Sequence, residues 1–253
     1  MKLKMTAVVL FAVLVFAPSA RAKEKVWVMW GQSLMTSGSS ANIPASMSEI
    51  PGNVEVWTSC DGTFPLRSTS FNAQPGFGPE VGFAYSISAM YPRDYHLIIR
   101  YAAGGTDMTR WQVGGDLYCG LIEVVRHITA GRKVKFEAIL SDQGESDANM
   151  PENVPLYQGR MQATMHGLRH AFKSPRLPCF IGLVCSPVCQ WGFRIAQAQL
   201  QIIATDGHAR GIEHSTLPTL QTGPAANIHL TDASEIAYGQ MFAYAVGQSG
   251  LCR

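Results

Sequence analysis

The sequence is short of net charge. Its 253 residues carry 20 Lys and Arg against 18 Asp and Glu, and charged residues make up 15% of it. Lys2, Lys4 and Arg21 belong to a leader described below, and no acidic residue does, so 17 basic side chains face 18 acidic ones, a net of −1. Such a balance supplies no field that would draw nucleic acid or an anionic membrane surface, and neither is expected as a partner. Long apolar runs are equally scarce: beyond the leader none approaches the roughly 20 residues that cross a bilayer. The cysteines lack the paired C-x-x-C spacing of a zinc site, so no metal is expected. No internal repeat or low-complexity segment occurs.

What is present begins with an address. Met1-Lys2-Leu3-Lys4, an apolar stretch from Ala7 to Phe16, and Ala20-Arg21-Ala22 before Lys23 read as a secretory signal peptide over residues 1–22. The protein is therefore expected to be exported, periplasmic or secreted, with no stable membrane anchor after cleavage. Residues 23–253 are long enough to bury a full core as a single domain. In that compartment Cys60, Cys119, Cys179, Cys185, Cys189 and Cys252 suggest disulfides, with a local staple expected among Cys179, Cys185 and Cys189.

Strand and helix patterns alternate along the rest. Val26–Trp30, Val54–Trp57, Tyr95–Tyr101, Val134–Leu140 and Cys179–Cys185 read as strands, with a further one over Gly211–Ser215. Between them lie helical patterns over Glu80–Tyr91, Asp116–Ala130, 156–172 and Trp191–Ala204, and a last helix over Asp232–Val246 capped by Thr231 or Asp232. This alternation predicts a three-layer α/β/α sandwich around a mostly parallel five-stranded sheet. Right-handed crossovers then put every strand's carboxyl end on one edge, where ligands bind. Three loops leave that edge: Gly31-Gln32-Ser33, Gly104-Gly105-Thr106 and Gln143-Gly144-Glu145.

A serine at such an edge needs a histidine base and donors for an oxyanion before it can act as a nucleophile. Of the seven histidines only His229 sits in a loop just ahead of the terminal helix, where it can reach across to Ser33. Glycines at 104 and 105 let a substrate oxygen approach the backbone closely.

These blocks resemble the sialate O-acetylesterase-like branch of the SGNH hydrolases, which includes acetylxylan esterases of carbohydrate esterase family six. The branch reads GQSNM-x-G, then GGT-D with a following Trp, then W-x-QGE-x-D, then D-G-x-H-L-T. The counterparts here are Gly31-Gln32-Ser33-Leu34-Met35, Gly104-Gly105-Thr106-Asp107 with Trp111, Gln143-Gly144-Glu145-Ser146-Asp147, and His229-Leu230-Thr231. The resemblance covers nearly all of the chain after the leader, from about residue 26 to 247, with an SGNH or flavodoxin-like fold. It implies Ser33 as nucleophile, His229 as base, and an oxyanion and substrate subsite drawing on Gln32, Gly104, Gly105 and Gln143, with an acetylated carbohydrate as substrate and no cofactor.

Three departures stand out: Leu34 replaces the family's Asn, Ser141 its Trp, and Ala226 the acid three residues before the histidine. An acid that fixes the histidine tautomer is worth about 10⁴ in turnover. Glu145 is the first candidate to replace it and Asp232 the second, while Asp107 and Asp147 suit loop-holding hydrogen bonds to backbone. Trp30, Trp57 and Trp111 are candidates for stacking on sugar, or for the core. Two readings follow: an exported serine carbohydrate O-acetylesterase, or a decayed member that binds glycan without hydrolysing it.

Overall fold

The computed structural model describes residues 24–36, 42–59, 62–73, 76–224 and 226–252. The leader and Cys60 lie outside the described residues. Among the described residues seven strands form one sheet: β1 (Glu24–Gly31), β2 (Val54–Thr58), β3 (Leu66–Arg67), β4 (His96–Ala102), β5 (Val134–Asp142), β6 (Cys179–Gly182) and β7 (Ala209–Ile212). Their order is β3-β2-β4-β1-β5-β6-β7, parallel except for the antiparallel pairing of β3 on β2. The sheet is therefore wider than the expected five strands. The two-residue β3 is too short for any periodicity to register; it lies in the Pro-rich stretch and covers the edge of β2.

The helices are α1 (Glu80–Met90), α2 (Met108–Trp111), α3 (Asp116–Thr129), α4 (Val154–Ala171), α5 (Gly192–Thr205) and α6 (Asp232–Ser249). The five longer ones fall where the apolar spacing placed them, and Thr231 caps α6 by accepting the Ser234 N–H at 3.3 Å. The single turn of α2 is set instead by its cap, Asp107, which accepts the Thr109 N–H at 2.6 Å.

β1 is buried on both faces, as its unbroken run Val26-Trp27-Val28-Met29-Trp30 implies. Val26, Val28 and Trp30 face the layer of α3, α4 and α5, and Trp27 and Met29 face that of α1 and α6. Trp30 and Trp111 are fully buried and pack at 5.0 Å between ring centroids, so both are core residues with no face for a sugar. The chain winds through β2 and β4 on one side of β1 and through β5, β6 and β7 on the other. The loops leaving β1, β4 and β5 consequently open side by side, where an open α/β sheet forms its crevice.

The expected cysteine staple is not formed. Cys119, Cys179, Cys185, Cys189 and Cys252 are all free thiols. Cys179 is buried at the start of β6 with its Sγ 3.7 Å from the Leu177 carbonyl, whereas Cys185 meets an imidazole and Cys189 turns toward the Glu145 carbonyl.

On the other layer, α1 and α6 touch through reciprocal glycines. A Cβ on Gly82 would stand 1.9 Å from the Ile236 carbonyl oxygen, and one on Gly239 would stand 2.0 Å from that of Pro79. Both contacts are with backbone, which has little room to yield. Gly82→Ala is therefore expected to push α6 outward and to cost about 1–3 kcal/mol of stability, read as a lowered urea midpoint; an unchanged midpoint would show that the helices separate freely.

Candidate active site

The turn that carries Ser33 is made by a contact no other residue type permits. Gly31 ends β1 at φ +146°, and a Cβ there would lie 1.9 Å from the Asp142 carbonyl oxygen on β5. The Gln32 N–H donates to that same carbonyl at 3.0 Å. The chain then closes a helical turn, with Met35 and Thr36 N–H groups returning to the Gln32 carbonyl at 2.8 and 3.0 Å. Leu34 and Met35 are buried as anchors and leave Ser33 half-exposed between them and the cleft. Leu34 thus fills core where the family places a polar amide.

A buried ion pair holds this turn from below. Arg100 Nη1 stands 3.1 Å from Glu80 Oε2 and donates to the Met35 carbonyl at 3.3 Å, while both Glu80 oxygens accept the Gly78 N–H. With both side chains out of water, removal of either charge would strand the other, at a cost of about 3–5 kcal/mol.

The second block lies against the first. The Ala103 N–H donates to the Gly31 carbonyl at 3.0 Å, and a Cβ built on Gly104 would sit 3.9 Å from Ser33 Cβ. Gly105 follows at φ +66°. Among the described residues, the N–H groups of Ser33, Gly104 and Gly105 make no backbone hydrogen bond. Unpaired donors beside a hydroxyl are what a developing oxyanion requires.

Gln143 does not join them. It is fully buried, its side-chain nitrogen 2.8 Å from the Thr106 carbonyl and 3.3 Å from Asp147 Oδ2, and its backbone carbonyl receives the Tyr157 hydroxyl at 2.6 Å. Its work is to tie the β4 and β5 loops together. Asp147 does the same by accepting the Met108 N–H at 3.0 Å, and burial raises this carboxyl to about 6.

Glu145 reaches the cleft, but its partner is Gln32, whose amide nitrogen donates to Oε2; Ser146 in turn donates to Gln32 Oε1 at 2.6 Å. Gln32 is thereby clamped at both ends of its amide, and Glu145 Oε1 has no hydrogen-bond partner. Burial, and then the charge of Asp142, raise the Glu145 carboxyl to about 8.

His229 is held by a loop that folds back on itself, with its carbonyl accepting the Leu220 N–H at 2.8 Å and Thr219 bridging to Leu230. The imidazole is half-buried, burial lowers its pKa, and Nδ1 has no hydrogen-bond partner. No described carboxylate pairs with it: Glu145 engages Gln32, and Asp232 accepts the Asn42 N–H at 3.1 Å and its amide at 2.9 Å.

One cleft of about 510 Å³ nevertheless collects Ser33, His229, Glu145, Gly104, Gly105 and Gln32, joined by Ser146 and Asn149. Asn149 is a residue the motifs did not single out; its amide donates to the Glu145 carbonyl at 3.1 Å and its oxygen accepts the Gln190 N–H. Also unmarked in the sequence is a buried group behind the cleft. Tyr238 donates to Asp142 Oδ2, and His214 Nε2 lies 3.4 Å from the same oxygen. Glu235, fully buried nearby, has its carboxyl raised well above the usual range by burial and by the neighbouring charges of Glu80 and Asp142.

A hydroxyl, an imidazole and unpaired backbone donors on the carboxyl rim of a parallel sheet are the parts of an acyl-transfer site. Residues 23–248 match the family described as carbohydrate esterase, sialic acid-specific acetylesterase, and the chain belongs to that family. A probable carbohydrate esterase of Arabidopsis thaliana is 27% identical over 176 residues, which cover 67% of this chain and 63% of that protein, less than two thirds of its length. The structure of the same Arabidopsis protein superposes with a TM-score of 0.76 at 19% identity, over 91% of this chain and 100% of that one. NanS superposes at 0.71 with 15% identity, over 90% and 98%. Axe2, an acetylxylan esterase from Geobacillus stearothermophilus, does so at 0.52 with 15% identity, over 90% and 95%. At these identities the structural likeness is one of fold.

The raised carboxyl of Glu145 has a consequence for stability. Folding favours its neutral form, so the contribution is fully present below the ordinary value of 4.5 and is lost as pH climbs toward 8. Glu145→Gln removes that loss. Its melting temperature relative to the wild type is expected to rise from about pH 5 to about pH 8.5; a difference that stays constant with pH would mean that Glu145 ionises in the folded protein as it does unfolded.

Proposed function

We propose that the protein is an exported carbohydrate O-acetylesterase that uses Ser33 as its nucleophile. The observation that carries this reading is the convergence of Ser33, His229 and the Gly104-Gly105 turn on one cleft. Ser33 Oγ attacks the acetyl carbonyl while His229 takes its proton. The oxyanion is received by the N–H groups of Ser33 and Gly104, with Gly105 beside them. His229 returns the proton to the departing sugar hydroxyl, and water then releases acetate by the same steps in reverse order. Gln32 lines the cleft with its amide clamped by Glu145 and Ser146, which suits it to hold substrate in place.

Among the described residues no carboxylate meets Nδ1 of the base, and Glu145 is the acid that shares its cleft. Below about pH 8 it is largely neutral and lends the imidazolium little charge; above that it lends a full one. The burial that lowers His229 keeps its imidazole neutral to lower pH than an ordinary histidine. The kcat/KM profile is therefore expected to have its acidic limb below 6.5 and a second rise near pH 8 that disappears in Glu145→Gln. A single limb at or above 6.5 would contradict both assignments.

The unpartnered Nδ1 of His229, together with Ala226, favours one other reading, a member that binds acetylated glycan and no longer turns it over. Acetate release from an acetylated xylo-oligosaccharide and from a chromogenic acetyl ester separates the two. For the enzyme, Ser33→Ala and His229→Ala are each expected to lower kcat by about 10⁴–10⁶. Turnover unaffected by Ser33→Ala would refute the serine mechanism, and glycan binding with no acetate release by the wild type would establish the binder.

A further inference from the structure

Beside the Ser33 cleft lies a second cavity of about 160 Å³, bordered by Cys185, Ser186, His214, Leu217 and Thr219. The two share Glu145 and Ile228 in their walls. Cys185 is partly exposed, on the loop that leaves β6, and its Sγ lies 3.5 Å from His214 Nδ1 and 3.7 Å from Nε2. His214, on the loop that leaves β7, is itself buried and stands 3.4 Å from Asp142 Oδ2 at the end of β5. Three chain segments thus bring a thiol, an imidazole and a carboxylate into contact, in the order that activates a cysteine. None of the three has a part in the acetyl-transfer scheme above.

We propose that Cys185 is a thiolate site for small thiol-reactive electrophiles, low-molecular-weight disulfides in particular, separate from the serine cleft. The imidazolium of His214, held by Asp142, faces the sulfur and stabilises negative charge on it, and the thiol proton passes to water. The thiolate attacks one sulfur of the disulfide; a bond from Cys185 to that sulfur forms, the reagent's own S–S bond breaks, and its second sulfur leaves as a thiolate with the electron pair.

The surroundings support the ion pair. Burial alone would disfavour a charged His214, but its hydrogen bonds to Asp142 and Cys185, and their charges, push it up to about 11. Facing the pair are Tyr238 and Glu235 from α6, Glu145 from the β5 loop, Glu213 beside His214, and Cys189 from the loop of Cys185. Tyr238 donates to Asp142 and packs its ring on His214 at 4.6 Å, which fixes the imidazole. Glu145, buried in the shared wall, has an oxygen without a hydrogen-bond partner, ready to accept from a donor on an entering molecule.

Cys119 is an exposed thiol on α3 and serves as internal reference. The full chain is treated with iodoacetamide between about pH 5.5 and pH 9, and alkylation of each cysteine is followed by peptide mass spectrometry. At pH 6, Cys185 is expected to react about tenfold or more faster than Cys119. His214→Gln is expected to remove that advantage without changing Cys119, and oxidised glutathione is expected to give its mixed disulfide at Cys185. Equal rates for Cys185 and Cys119 across the pH range would overturn the proposal. So would a Cys185–Cys189 disulfide in the protein as isolated. The wild-type profile decides the matter even if His214→Gln fails to fold, and because it reads thiol chemistry alone, its outcome is independent of any esterase activity.

Discussion

Asp142 is the joint on which both the serine cleft and the cavity beside it turn. Its backbone carbonyl meets Gly31 at a distance only glycine permits and receives the Gln32 N–H, which directs β1 into the Ser33 turn. Its side chain points the other way, taking the hydroxyl of Tyr238 and standing at ion-pair distance from His214. Gly182 completes the arrangement, because a Cβ there would lie 1.9 Å from the Tyr238 hydroxyl and 2.3 Å from Asp142 Oδ2. One residue at the tip of a central strand therefore couples the Ser33 turn, the exit of β7 and the terminal helix.

Behind this joint the protein buries several ionisable groups. Glu80 and Arg100 pair beneath the Ser33 turn, Asp142 and His214 pair beneath the second cavity, and the carboxyls of Glu145 and Glu235 are driven toward their neutral forms. Neutralisation is the cheaper course where a carboxylate lacks a cation, since a buried charge costs far more than a buried acid. The arrangement ties the site to pH from two directions, through a histidine that resists protonation and a glutamate that resists ionisation. It also separates the roles of groups in the cleft: Glu145 holds Gln32, and among the described residues no carboxylate pairs with the imidazole of His229.

The layers on either face divide their duties. The α3, α4 and α5 side packs conventional aliphatic and aromatic side chains against even-numbered β1 residues and makes a firm floor. The α1 and α6 side depends instead on backbone contact through Gly82 and Gly239. That close approach brings Glu80 and Glu235 near one another and draws α6 down onto Asp142. A helix displaced there would lose Tyr238 from Asp142 and disturb the loop of His229 together with it.

The order of strands and helices was legible in the chain, because periodicity and strand composition are local properties that burial merely confirms. The Ser33 and Gly104-Gly105 blocks could be placed from sequence at strand ends of one parallel sheet, and His229 in the loop ahead of the last helix; the structure lines one cleft with all of them. The narrower sheet expected from sequence missed β3, whose two residues have no period to read, and the expected staple fails because Cys179, Cys185 and Cys189 meet other partners. What distance along the chain could not convey was pairing across the sheet. Whether Gln143 faces the cleft or the core, whether Glu145 meets His229 or Gln32, and whether Asp142 finds His214, 72 residues on, all depend on strand register and on the close contacts that glycines allow. Local sequence thus determined the elements and the rim they share; only packing decided which polar atoms meet there, because hydrogen bonds form between neighbours in space and each buried donor or acceptor can satisfy few partners.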